Sequence, residues 1–575
     1  MFGRAVWDVR PADAQRADAL ATACGVEPLI GQLFLNRGIT EPAEAQRFLA
    51  PELARLGDPL RLPDMPRAAS RIHRAIRARE LIVVFGDSDV DGVTASAIVY
   101  EVLTSLARPG SGPSRRAGGA RVEVRVSNRL ADGYGFPHTL VARLARAKVG
   151  LVILVDCGTN QPEEIRALAR QGIETIVLDH HVPSEFVAEP LALVNPYRGD
   201  GAGQGLCSAG LAMKLAQALC PDDGEDLSRF LDLAALGTLA DYAPLLGDNR
   251  ILVSVGLARL LDTSRPGLRR LCEAVRVTQP SPEQILQRLV PRLNASGRLG
   301  EAGPVWQLLV EPSATTAERL ATRLGDAHAT TKSLARQIHA EAFEQVNRLH
   351  FKHELVMVLG RRGWHPGLMG PLASQLMERY ARPTIAIAFE EHLGVGSGRS
   401  PSGFNLFEAL RACQGMLVRY GGHPQACGLT IRAERLEQFR EDINRHAETA
   451  LGRRSLVRSL VMDAQVTLAD VTPRLAETLA RFAPFGPGNP RPLMLIRNVT
   501  VDTSDVTPTW LTDGVSRVKL RGRPGGLVPT ERYDVVVTLG LAGNEAALSV
   551  CDARLSTTRR TGLMTSHMVT RPTAL

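Results

Sequence analysis

The chain has 575 residues, enough for several folded units at roughly 100 to 200 residues each, which excludes a single small binding module. Hydrophobic residues make up 44% and charged residues 22%, an ordinary globular balance that supplies more than one core and excludes wholesale disorder. The 68 Lys and Arg against 60 Asp and Glu leave +8, carried almost wholly by arginine, which favours a polyanionic partner such as nucleic acid or an anionic membrane without choosing between them. An Ala- and Arg-rich, Lys-poor composition is also what a GC-rich genome encodes, so the charge is only a pointer.

From the amino terminus, MFGRAVWDVRPADAQ has no apolar leader-like run, and nowhere does an apolar run reach about 18 to 20 residues. The eight cysteines (Cys24, Cys157, Cys207, Cys220, Cys272, Cys413, Cys427 and Cys551) form no CxxC pair and no Cys/His ladder, so neither a disulfide framework nor a zinc finger is expected. These features predict a soluble protein of the cytoplasm, with no membrane partner. Residues 1–50 are helix-compatible and end at Leu49-Ala50-Pro51. Short β-rich runs at 81–85, 121–126, 151–155 and 175–178 then alternate with helical stretches such as 161–170, which predicts an α/β domain with a parallel sheet. Residues 314–348 favour helix throughout, with no Pro and one Gly, and predict a long connecting helix or helical hairpin. A second, smaller α/β block opens with an apolar strand at 355–359 and runs to GGHPQACG. Beyond Arg453, β-rich runs at 455–462, 493–501, 516–520, 533–539 and 547–551 predict a small β-barrel, and a Thr/Arg-rich tail from Ser556 is expected to be disordered.

The chemistry lies in four separated places. GDSDVDG follows the strand LIVVF and places Asp87, Asp89 and Asp91 on alternate positions of one loop; three carboxylates so close repel one another unless a cation offsets them. Capping of the next helix accounts for one of the three, not all. Asp156 ends the strand LVILV, Asp179-His180-His181 follows another apolar run, and Asp241 closes GTLAD after an Ala/Leu-rich helical segment. Each acid ends an apolar element, at the carboxyl end of a strand where α/β sheets bind ligands or at the end of a helix. Oxygen and nitrogen donors without thiolate suit Mn²⁺ or Mg²⁺ better than structural zinc, and Cys157 reads as packing.

These four places resemble the successive motifs of the DHH phosphoesterase superfamily, with Asp179-His180-His181 as its triplet. SNRLADGYGF, LNASGRLG, VGSGRSPSGFNL, GGHPQACG and FGPGNPRP are similar to stretches of its single-strand-specific 5′-to-3′ DNA exonucleases, in consistent order from about Ile82 to Pro492. The resemblance implies that Asp87, Asp89, Asp91, Asp156, His180 and Asp241 hold two Mn²⁺ or Mg²⁺ ions, Asp87 directly or through water and Asp156 as the bridge, with Asp241 a second candidate for it. Asp89, Asp91, Asp156, His180, His181 and Asp241 are the implied catalytic set, with His181 at the scissile phosphate. The sequence departs from many members at Phe85, where they carry histidine, and at Ser88, where an aromatic residue is common.

The glycines, hydroxyls and arginine of residues 394–400 can converge on a phosphate, and with GGHP they resemble the DHH-associated domain, which implies that Ser397, Arg399, Ser400 and His423, with Asn294 and Arg298 of LNASGR, bind the 5′ end of the substrate. Trp510 and Tyr533 are the barrel's candidates for base stacking, with core packing as their simpler role. The fold implied is therefore α/β: a helical extension (1–50), a DHH domain with a parallel sheet (51–310), a connecting helix (311–350), a smaller α/β DHH-associated domain (351–452), an OB-like β-barrel (453–555) and a disordered tail (556–575). The activity implied is exonucleolytic hydrolysis of single-stranded DNA from a 5′ end in recombination and repair, by a monomer working with a helicase and a single-strand-binding protein. The rivals are a small-substrate phosphoesterase of the same superfamily, acting on oligoribonucleotides or cyclic dinucleotides, and a non-catalytic replication scaffold.

Overall fold

The computed structural model describes residues 6–108, 120–201, 203–220, 227–351, 354–452, 459–502, 509–522 and 527–556. The predicted tail lies outside them but for Ser556. The chain divides into two compact units, Met1–Val6 with Ala50–Arg458 and Pro484–Pro490, and Trp7–Leu49 with Ser459–Ala483 and Arg491–Leu575.

In the first unit, Leu81–Gly86, Arg121–Val126, Val149–Val155, Glu174–Leu178 and Ala192–Val194 form a five-stranded parallel sheet. Numbered by their order in the chain, they lie 2-1-3-4-5 across the sheet, so the order reverses beside Leu81–Gly86 and opens a crevice at the carboxyl ends of the first and third strands. Leu81–Gly86, Val149–Val155 and Ala192–Val194 are apolar throughout and Glu174–Leu178 after its first two residues, because both faces are covered, whereas the edge strand Arg121–Val126 alternates valine with charged residues. Ile82, Val84, Ile153 and Leu178 pack on one side with the helix Val90–Ala107, while Val83, Phe85, Val152 and Leu154 pack on the other. Val90–Ala107 is the one helix among the described residues long and apolar enough to cross a membrane, and it lies within this core.

Ala314–Val346 is one continuous helix, capped by Ser313, whose hydroxyl accepts from the Thr316 amide; at 33 residues it is about 50 Å long. It is a connector by its packing: Leu320 and Leu324 join the core of the parallel-sheet domain, whereas Ile338, Ala342 and Val346 join that of the second sheet. That sheet is ordered Leu417–His423, Ala426–Arg432, Leu393–Arg399, Thr384–Glu390, Met357–Arg362, with only the last pair parallel. Its helices run on to Leu451, beyond the GGHPQACG motif.

In the second unit Met494–Asp502, Trp510–Thr512, Arg517–Leu520, Glu545–Leu555 and Tyr533–Ala542 pair in turn, and the last pairs back to the first, closing a five-stranded barrel. The amino-terminal segment carries, besides helices, a strand Val6–Val9 that pairs with Ser459–Met462; its Phe34 stacks with Phe482 and its Phe48 meets both rings edge-on. Tyr533 is buried in the barrel, whereas Trp510 is half-buried with the Arg517 guanidinium 4.4 Å from its ring centroid.

Candidate metal centre

The loop after Leu81–Gly86 turns straight into the helix Val90–Ala107. It does so tightly: a Cβ at Gly92 would stand 2.6 Å from the carbonyl oxygen of Asp87. Asp89 is the cap, its Oδ1 accepting from the Gly92 amide at 3.1 Å. Asp91, buried in the first turn, accepts from the amides of Ser208 (2.7 Å) and Ala209 (2.8 Å), at the start of the helix Ser208–Leu219. Asp156 follows Val149–Val155 with φ 64°, a conformation uncommon for a residue with a side chain. Its Oδ1 accepts from Ser208 Oγ at 3.0 Å.

His180 lies among these acids, with Nε2 3.3 Å from Asp156 and 3.8 Å from Asp91, and Nδ1 3.7 Å from Asp241 at the end of the helix Leu231–Ala240. Three overlapping sets, Asp87 with Asp89 and Asp156, Asp91 with His180 and Asp241, and Asp156 with His180 and His181, each bring ligand atoms within 4.8 Å of one another. Asp156 and His180 each belong to two sets, so the set of Asp87, Asp89 and Asp156 and the set of Asp91, His180 and Asp241 adjoin through the third. Burial, and then the charges of Asp89 and Asp91, push Asp156 well above the usual carboxylate range. Burial raises Asp91 too, His180 opposing and Asp89 reinforcing, and it lifts Asp241 to about 7. Such a set binds protons for want of a better cation, and the hard, oxygen-rich donors fit Mn²⁺ or Mg²⁺.

The remaining motif residues form the rim. Asp87 is wholly buried; its carboxylate accepts from Ser127 Oγ at 2.7 Å and from Arg129, whose guanidinium also lies 3.6 Å from Asp89. Asp179 holds His181 through Nδ1 at 2.7 Å and accepts the Thr159 amide at 3.0 Å; burial works against its charge, but these bonds prevail and hold it down at about 2. In His181 burial disfavours the cation and Asp179 more than offsets it, raising the pKa. Phe85 points into the apolar layer on the far side of the sheet, its ring edge-on to Phe136 at 5.1 Å, with Cys157 in the same cluster. Ser88 is buried, its carbonyl packed against Gly297.

The second sheet brings its candidates to the same crevice. His423 is held below its ordinary value by burial and then by the charges of His181 and His180. Arg399 donates to Ser397 Oγ (2.9 Å) and the Gly398 carbonyl (2.8 Å); burial lowers its pKa, Cys427 opposes, and nearby Arg129 lowers it further. Arg298, at the end of the helix Val290–Arg298 that carries Asn294, is lowered by burial and pairs with no carboxylate among the described residues. Half-buried guanidinium groups without an acid partner leave a place for an anion. Ser400 differs from its neighbours: its hydroxyl donates to the Phe404 carbonyl at 2.9 Å and secures the loop. Reading the sequence assigned no role to Ser127, Arg129, Tyr134 or Ser208; SNRLADGYGF carries the first signal for three of them, and nothing marks Ser208 before the helices are packed.

Residues 81–238 match the DHH family, N-terminal domain, residues 353–449 the DHHA1 domain, and residues 462–509 the RecJ OB domain. The chain is 33% identical over 499 residues to the single-stranded-DNA-specific exonuclease RecJ of Thermus thermophilus, covering 86% of this chain and 70% of that protein. It is 32% identical to the proteins of the same name from Dickeya dadantii, over 81% of this chain and 82% of that protein, and Bacillus subtilis, over 86% of this chain. It spans only 62% of the Bacillus protein's length. Among solved structures it is similar to Thermus RecJ in complex with Mn²⁺, with a TM-score of 0.81 at 28% identity over 98% of this chain and 81% of that one. The Mg²⁺ complex gives 0.74 at 27%, over 96% and 79%.

Proposed function

Because this chain belongs to the RecJ family of single-stranded-DNA-specific exonucleases, we propose that it hydrolyses single-stranded DNA from the 5′ end and releases 5′-mononucleotides, using two Mn²⁺ or Mg²⁺ ions. The observation that carries this reading is the convergence of Asp87, Asp89 and Asp156, and of Asp91, His180 and Asp241, into two donor sets joined by a third that holds Asp156 and His180 together. Bound there, divalent ions supply an activated water and neutralise charge on the scissile phosphate. Asp156, which joins both Asp87 and Asp89 on one side and His180 on the other, would be the carboxylate shared between the ions, with Asp241 the second candidate.

The protein's own groups do the rest. Arg298, Arg399 and Ser397 hold the terminal 5′-phosphate, so the distance from that anchor to the acids sets a one-nucleotide step. Arg129 offers a donor at the rim, held by Asp87. As the water oxygen joins phosphorus, the bond to the 3′-oxygen of the terminal nucleotide breaks, its electron pair stays on that oxygen, and His181, oriented by Asp179, donates to it. A single strand can follow a path between the two sheets, whereas a duplex has first to unpair. The barrel offers a single-strand-binding surface of its own, with backbone electrostatics dominating its binding. We assign the protein to the cytoplasm as a monomer that works with a helicase and single-strand-binding protein in recombination and repair.

The test uses end-labelled single strands of both polarities with Mn²⁺, Mg²⁺ or chelator. Mononucleotides released from a 5′-phosphorylated end, and only with metal, support the reading; preference for a dinucleotide, or release from the 3′ end, overturns it.

A further inference from the structure

Residues 127–136 cross the mouth of the metal centre and are fixed at both ends. Ser127 donates its amide to the Gly86 carbonyl at 2.9 Å, and the Gln161 side chain holds both the amide and the carbonyl of Phe136, at 2.9 and 3.0 Å. Gly135 lies so close to Gln161 that a Cβ there would stand 2.4 Å from Oε1. Tyr134 is therefore presented from a rigid backbone although its side chain meets solvent. Its ring is edge-on to His181, with centroids 5.6 Å apart at 73°, and Arg129 lies 5.4 Å from its centroid. Its hydroxyl is 3.0 Å from His181 Nε2 and 3.2 Å from Nδ1. Being nearly equidistant from the two nitrogens, it lies off the axis of either. Nδ1 is already committed to Asp179 at 2.7 Å, so the imidazole is gripped from two sides while the Nε2 axis stays open.

We propose that Tyr134 is a positioning residue for phosphodiester cleavage: it braces His181 against Asp179 so that Nε2–H is aimed at the departing 3′-oxygen. This rests on the exonuclease reading above. In the step concerned, the water oxygen bonds to phosphorus, the bond to the 3′-oxygen breaks, and the electron pair left on that oxygen takes the Nε2 proton. The proton shed by the water goes to solvent, and His181 is reprotonated from solvent as the product leaves. A hydroxyl packed against a reacting ring from outside the reaction, fixing the ring's plane, is worth about 10- to 100-fold in rate.

The test is Tyr134→Phe in the full chain with Mn²⁺, since phenylalanine keeps the ring that packs on His181 and Arg129. Two 5′-phosphorylated strands are compared, one with ordinary linkages and one with sulfur in place of the bridging 3′-oxygen at the first linkage, a leaving group that needs little proton donation. The expected result is a kcat lower by about 10- to 100-fold on the ordinary strand at unchanged KM, most of it recovered on the sulfur-bridged strand. In a His181→Ala background the same substitution should cost nothing further. An equal loss on both strands, a rise in KM with kcat intact, a full additional loss in the His181→Ala background, or no loss at all overturns the proposal. A wild-type protein that cleaves neither strand overturns the exonuclease reading itself, a different outcome from any of these.

Discussion

Replacing Gly237 by alanine should loosen both the fold and the metal centre, although alanine is ordinarily the better helix former. Gly237 lies in the helix Leu231–Ala240, where three helices meet. A Cβ there would stand 2.4 Å from the Cβ of Ala209, 2.6 Å from Thr94 Oγ1 and 2.8 Å from Asp91 Oδ1. All three neighbours are buried, and Asp91 is pinned by the amides of Ser208 and Ala209, so no flexible end can swing aside. Overpacking of this kind costs about 3 kcal/mol at the upper end, against about 1 kcal/mol of helix propensity gained, a net loss of about 2 kcal/mol. The shift of Asp91 should also weaken Mn²⁺ binding by about 10- to 100-fold. Gly325 is the matched control. It lies inside Ala314–Val346 with nothing within 4 Å of its would-be Cβ, so Gly325→Ala should stabilise by up to about 1 kcal/mol and leave Mn²⁺ binding alone. Denaturant unfolding with and without Mn²⁺, beside calorimetric titration of the metal, reads both effects. The reasoning is refuted if the two variants shift stability in the same direction, or if Gly237→Ala binds Mn²⁺ as tightly as the parent.

Phe85→His restores the side chain common in relatives, yet residue 85 points into the apolar layer beside Phe136. The variant should therefore lose about 1 to 3 kcal/mol for an unpartnered imidazole and gain no Mn²⁺ affinity, and a tighter metal in the titration would contradict this placement. Burial, partly opposed by His180, raises the Asp241 carboxyl from 3.8 to about 7, so its protonated form favours the fold below about pH 4 and that contribution fades as pH rises through about 7. Metal-free protein should accordingly melt lower at pH 7 than at pH 5, and Mn²⁺ affinity should rise about tenfold per pH unit below 7 as one proton is displaced, whereas a pH-independent affinity would be inconsistent with the carboxyl's position. Arg399→Ala should flatten the dependence of log affinity on log salt by about 0.7 for a 5′-phosphorylated strand but not for a 5′-hydroxyl strand, in binding titrations with Ca²⁺ in place of the catalytic metal; equal slopes for both strands would separate Arg399 from the phosphate.

The parallel sheet was legible from four of its strands, three of them short apolar runs ended by an acid and Arg121–Val126 an alternation of valine with charge; the three-residue strand Ala192–Val194 is too short to carry such a signal. The long helix was legible for the same local reason, but whether it was one helix or a hairpin was not. That depended on Leu320 and Leu324 packing on one core while Ile338 and Ala342 pack on another, a fact of three dimensions. The pairing of Val6–Val9 with Ser459–Met462 joins residues more than 440 positions apart, and no periodicity within either segment carries it.

The clustered acids announce themselves because carboxylates at the ends of apolar elements are costly unless something offsets them. Their supporting residues carry no such mark. Ser208 is an ordinary helix start until its amide and hydroxyl are found on Asp91 and Asp156, and Arg129 is one arginine among many until it closes on Asp87. Arg129 also qualifies the meaning of the +8 charge. An arginine already held by a buried carboxylate adds little to long-range attraction, whereas Arg399, half-buried beside Arg129 and without an acid, keeps its charge uncompensated. The arginines that matter to a polyanion are thus those the fold leaves without a counter-charge, and the total count does not reveal which they are.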